Sequence, residues 1–203
     1  MTEKLDIPLN CLFKACYVPE IEAEIEKCMQ KCHRYNQLCP SEHDARQKLL
    51  KEILGKTGEN VVVTAPFWCD YGYNIRLGEH FYANHNLVIL DCAAVTFGEH
   101  VFVAPNCGFY TAGHPIDAEC RERGLEYAYP ITVGDHVWIG GGVQVMPGVT
   151  IGSNVVIGGG SVVVKDIPSD SVAVGNPCRV IRKRFSEELI AYLEEIRWWN
   201  WDA

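Results

Sequence analysis

PITVGDHVWIGGGVQVMPGVTIG, residues 130 to 152, decides the fold. Every sixth residue from Val133 gives Val133, Ile139, Val145 and Ile151, and the series runs on through Ile157 and Val163. All of these are β-branched aliphatics. A second column, four residues on, reads Val137, Val143, Val149, Val155, Ser161 and Ile167. Between the columns lie Gly-Asp, Pro-Gly, Gly-Ser-Asn and Lys-Asp, which are residues of tight turns. An amphipathic helix repeats its apolar face every three or four residues and a half-buried strand every two, so a period of six fits neither. It fits a coil of short strands, one strand and one corner per six residues. Such a coil closes a three-sided tube whose turns stack in parallel at ~4.8 Å and satisfy one another's backbone.

The same beat occurs upstream at Leu77, Ala83 and Ile89, then after a two-residue slip at Phe97, Val103 and Phe109. Residues 110 to 130 carry no aliphatic column and read as a loop thrown out from the tube. The flanks have helical patterns. Residues 19 to 37 and 41 to 55 form a small cap, the second helix opening on the capping-box pattern Ser41-Glu42-His43-Asp44 and ending at Gly55. Ser186 starts another helix, with Leu189, Ile190, Leu193, Ile196 and Trp199 on one face, to dock on an open end of the tube or on a neighbouring subunit. The expected organisation is a helical cap over 1 to 58, a mainly β, parallel β-helix over 59 to 183 with loop 110 to 130, and a helix over 184 to 203.

Net charge is -8, from 18 Lys plus Arg against 26 Asp plus Glu, which argues against a general nucleic-acid binder. Arg179, Arg182, Lys183 and Arg184 run against that balance and suit either a phosphorylated ligand or a solvated basic face. No run is long and apolar enough for a membrane span or a secretion signal, so a cytoplasmic location is expected. Ten cysteines without such a signal read as reduced thiols. Cys28 and Cys32 sit one helical turn apart beside His33, but no second pair follows; they read as helix packing, and no metal is expected.

Together, the hexapeptide columns, CDYGYNIRLGEHFYANHNLVILD (69 to 91), TAGHPID (111 to 117), the stretch quoted above and GNPCRVI (175 to 181) resemble the maltose and galactoside O-acetyltransferases of the hexapeptide-repeat superfamily. The maltose type is the nearer of the two. The resemblance implies a left-handed β-helix, a homotrimer with active sites between subunits, and acetyl transfer from acetyl-coenzyme A, a co-substrate rather than a bound cofactor, to a sugar hydroxyl.

That reaction requires removal of the hydroxyl proton as the oxygen attacks the thioester carbonyl, and imidazole is suited to the task near neutrality. His114, in TAGHPID, is the expected general base. His80, His100 and His136 stand in GEH, GEH and GDH at one place in the repeat and read as corners; His33 and His43 fall on the cap helices. A zinc site built on His80 and His85 lacks a third histidine. Matched residue by residue, the resemblance implies Asn84 beside the reacting acetyl group, and Asp70, Asp91 and the Cys92 position on the acceptor. It also implies Trp138, Gly141, Gly159, Val164 and Lys165 along the coenzyme, with Arg179 and Arg182 near its phosphates. The main-chain NH at Gly141 would serve as an oxyanion donor. Ile25 and Cys92 replace the Arg and Asp of galactoside-type members, so a non-sugar alcohol stands beside a sugar as acceptor. A β-helical assembly subunit that has lost the chemistry is the reading from a different class.

Overall fold

The computed structural model describes residues 11 to 197. Both hexapeptide columns point inward: Val133, Ile139, Val145, Ile151, Ile157 and Val163 are each at most 1% exposed, and the upstream members from Leu77 to Phe109 are buried too. Three sheets form the sides of the tube, two of five strands and one of seven, and the strands pair in parallel with the equivalent strand of the next coil, except the last strand of the seven, Arg179–Lys183, which returns antiparallel. Trp138 therefore lies against Phe102 on one side and Val156 on the other, with Ile139 against Val103 and Ile157. Ser161 keeps its column place because its hydroxyl donates to the Gly158 carbonyl and accepts from Gly175 N–H, so its polar atom is not orphaned in the core.

The corners follow the turn chemistry. His80, His100, His136, Asn154 and Asp170 all have φ between 53° and 59°, the left-handed region that lets a six-residue coil turn sharply. The three histidine rings stack, with centroids 4.6 Å and 5.0 Å apart. The histidines of GEH and GDH are thus corners.

In the cap, α1 (Pro19–Gln37) and α2 (His43–Ile53) match the two expected helices. The capping box does not form. Glu42 is the N-cap with no side-chain bond to the helix; its carboxylate accepts from Cys39 N–H instead. Gly55 is required by close approach, since a Cβ there would collide with the Tyr73 carbonyl, and not by a left-handed turn. Helix α1 packs on the strand Phe67–Cys69, and Asn36 clamps that strand by exchanging two hydrogen bonds with the Phe67 main chain.

Residues 110 to 130 are more ordered than a thrown-out loop. Ala112–Gly113 pairs antiparallel with Leu125–Ala128, the short helix α3 (Ala118–Glu122) joins them, and the N-terminal strand Phe13–Lys14 adds to the outer edge. The sequence reading missed this hairpin because it carries no aliphatic column. The C-terminal helix α4 (Glu187–Ile196) has Ser186 as its N-cap, the hydroxyl accepting from Leu189 N–H. It does not sit on an end of the tube. Leu189 and Leu193 face Phe102 and Trp138 of the seven-stranded side across a cleft of about 540 Å³. Trp199 lies outside the described residues. Among the described residues no helix is long and apolar enough to cross a membrane.

Candidate active site

The excursion from the tube starts at a fixed point. Thr111 is fully buried; its hydroxyl donates to the Leu90 carbonyl and accepts from Ala93 N–H, anchoring the chain where it leaves the coil. Tyr129 N–H returns to the Thr111 carbonyl and closes the base of the hairpin. Gly113 is the residue that permits the close crossing, because a Cβ there would strike the Tyr127 ring. His114 follows at once, about half exposed, with Nδ1 3.9 Å from Oε1 of Glu126 on the opposite strand.

A cleft of about 860 Å³ opens beside His114, between the hairpin, α1 and the tube residues Asp70, Leu90, Tyr110 and Met146. Of the expected site residues it gathers His114, Asp70 and Cys92, together with Ile25. It also brings in Cys16 and Glu126, neither singled out from the sequence. Glu126 accepts a thiol hydrogen bond from Cys16 at 3.5 Å. The run Leu-Glu-Tyr-Ala after Gly124, whose φ of 73° makes a turn, was the one sequence signal of the strand that carries Glu126.

Asp91 does not reach this cleft. It is fully buried, and its carboxylate accepts from the main-chain N–H groups of Asp70, Tyr71 and Asn74 at 3.1, 2.9 and 3.3 Å. The two-residue slip in the repeat is where Asp91 and Cys92 stand, and the extra corner length lets Asp91 hold the turn that carries Asp70. Burial, then the nearby charges of Asp91 and Glu126, push the Asp70 carboxyl up to about 7. Burial and the Asp70 and Glu126 charges likewise push the Cys92 thiol up.

The expected donor-side residues lie elsewhere on the chain. Gly141 and Gly159 stack at one corner, where Gly142 N–H donates to the Pro105 carbonyl and Gly160 N–H to that of Gly141, both at 2.8 Å. Val164 is 43% exposed just past the last strand of that side. Asn84 follows the strand Tyr82–Ala83, its side chain accepting from His85 N–H. Arg179 and Arg182 are on the exposed strand Arg179–Lys183, which pairs antiparallel with Ser171–Val174. Trp138 is 56% exposed and faces α4 across the smaller cleft, so it packs in no core. None of these lines the His114 cleft of the same chain.

A six-residue parallel coil with corner glycines, interrupted by one histidine-bearing hairpin over an acidic cleft, defines a hexapeptide-repeat acyltransferase. Residues 12–58 match the family described as maltose acetyltransferase hexapeptide capping motif, and residues 130–165 match bacterial transferase hexapeptide repeats. The chain is 50% identical over 151 residues to the galactoside O-acetyltransferase of Escherichia coli K12, covering 74% of each. A galactoside acetyltransferase solved in complex with coenzyme A superposes with a TM-score of 0.83 at 43% identity, covering 88% of both chains. A maltose O-acetyltransferase from Clostridium difficile 630 gives 0.80 at 48% identity, covering 82% of this chain and 89% of that one. The chain belongs to the maltose and galactoside O-acetyltransferase family, whose members are acetyl-coenzyme A-dependent enzymes.

Proposed function

We propose that this enzyme transfers the acetyl group of acetyl-coenzyme A to a hydroxyl of a small sugar, with His114 as general base. The observation that supports the reading is the cleft that His114 and Asp70 both line. The Glu126 carboxylate beside Nδ1 favours the proton on that nitrogen, leaving Nε2 to take the acceptor's hydroxyl proton. As the oxygen attacks the thioester carbonyl, the proton passes to His114, and it is then available to the departing thiolate. Asp70 can accept from acceptor hydroxyls, and Asp91 fixes the turn on which it stands. Ile25 and Cys92 in the same cleft support a second reading, in which the hydroxyl belongs to a less polar alcohol.

We infer a homotrimer in the cytoplasm. One copy's His114 cleft lacks Asn84, Gly141 and Arg179, so a neighbour's coenzyme-binding edge would complete it, and the exposed Val62, Phe102 and Trp138 give the seven-stranded side an apolar surface. All ten cysteines are free, in keeping with a reducing compartment.

The test is acceptor-dependent release of coenzyme A thiol, measured with galactosides, maltose, glucose and simple alcohols after the enzyme's exposed thiols are blocked. His114→Ala should lower turnover by about 100-fold to 10,000-fold, the range of a general base, without changing the melting temperature. Wild-type turnover in that variant removes the assignment, and a fully active monomer in ultracentrifugation removes the trimer.

A further inference from the structure

Helix α1 and the strand Phe67–Cys69 bring together three thiols that the acetyl-transfer chemistry does not use. Cys28 and Cys32, one turn apart, meet Cys69, with Sγ–Sγ distances of 3.6 Å and 3.7 Å to it. The three sulfurs all lie within 4.8 Å of one another, and the residues are 4%, 0% and 3% exposed. We propose that Cys28, Cys32 and Cys69 form a binding site for a trivalent thiophilic metalloid, arsenite or antimonite, held by three thiolate sulfurs.

Spacing is the first ground. No S–S bond of ~2.05 Å joins the three, which sit at van der Waals contact as free thiols. A three-coordinate pyramidal centre with ~2.3 Å bonds to sulfur holds its sulfurs somewhat closer than the ~3.8 Å of a tetrahedral one, so the two observed edges of 3.6 Å and 3.7 Å need close by only a few tenths of an ångström. The ligand count is the second. Among the described residues no fourth His, Cys, Asp or Glu joins the group, whereas a structural zinc site is closed by four ligands.

Charge is the third. Asp91 and Lys31 are the outside charges felt by Cys28 and Cys32 respectively, and they oppose one another in sign. Three thiolates around a divalent ion would leave one net negative charge in an apolar core, and around a monovalent ion two. Burying an uncompensated charge is expensive. A trivalent centre leaves none. The exchange balances without an oxidant: As(OH)3 + 3 Cys–SH gives As(S–Cys)3 + 3 H2O. Three As–O and three S–H bonds break, and three As–S and three O–H bonds form. Because α1 closes the site and is clamped by Asn36, uptake should be slow and limited by local opening of the cap.

The experiment uses the full-length reduced protein incubated with sodium arsenite, freed of excess by gel filtration, then studied by native mass spectrometry and arsenic X-ray absorption. One arsenic per chain, with three sulfur neighbours and no oxygen, is the expected result. Cys28→Ser and Cys69→Ser should each retain at least about 10-fold less arsenic, the lower bound for even an indirect change at a metal site. Cys39→Ser and Cys92→Ser should retain it. Absence of arsenic on folded wild-type protein, an arsenic with two sulfurs and an oxygen, or undiminished retention by Cys69→Ser would overturn the site and leave the trio as core packing. If the variants fail to fold, the wild-type absorption spectrum decides, since no other three thiols converge among the described residues.

Discussion

Asp70→Asn should raise stability at neutral pH while impairing acceptor binding. The Asp70 carboxyl is held at about 7, against an ordinary 3.8, by burial first and by Asp91 and Glu126 next. A raised carboxyl means that between pH 4 and 7 the folded state keeps a proton which the unfolded chain has lost. The unfolded state then binds fewer protons, so stability falls as pH rises through that window. The rise from 3.8 to about 7, at 1.36 kcal/mol per pH unit, sets a ceiling of about 4 kcal/mol on the loss, which is absent below pH 4 and complete above pH 7. Asn carries no charge, so the variant avoids this loss. Urea unfolding of both proteins from pH 4 to 8 isolates the effect of Asp70 and its charge coupling to Asp91 and Glu126, because titrating groups not coupled to Asp70 cancel in the difference. The variant should match wild type within about 1 kcal/mol at pH 4 and gain on it steadily up to pH 7. Parallel curves, or a variant that loses ground as pH rises, would refute the reasoning and show that Asp70 is ionised and stabilised in the fold.

Replacing Arg179 and Arg182 together with Ala should raise the Michaelis constant for acetyl-coenzyme A more than it lowers turnover, because phosphate contacts persist from ground state to transition state. Added salt should weaken wild type and spare the double variant, and an unchanged donor constant would assign the strand to plain surface. At the stacked corner, His100 has φ 53°, so His100→Val should cost at least about 1 to 2 kcal/mol in thermal or urea unfolding, whereas His100→Asn should fall within about 0.5 kcal/mol. Turnover of both folded variants should stay within about threefold of wild type, a corner histidine having no part in the proton transfer.

Much of the scaffold was legible because its information is local and repeated. Val133 to Val163 at intervals of six state which side chains are inward, and GEH, GEH and GDH state where the coil turns, without reference to any distant residue. The site was less legible. TAGHPID marked His114, but the hairpin that holds it is made by pairing Ala112–Gly113 with Leu125–Ala128, and the Glu126 partner has no periodic signature.

By itself the sequence determined the coil, its period, its corner residues and the histidine set apart from them, since a backbone satisfied by stacking needs only the next repeat. Tertiary structure decided what the distant segments do to one another. It turned Asp91 inward onto the main chain of Asp70, Tyr71 and Asn74, and set Trp138 opposite α4 instead of in a core. It also carried Cys69 against Cys28 and Cys32 across 41 and 37 residues of chain. Such contacts depend on how a helix and a hairpin settle against the tube, and that is fixed by packing among residues far apart in sequence, which no repeat encodes.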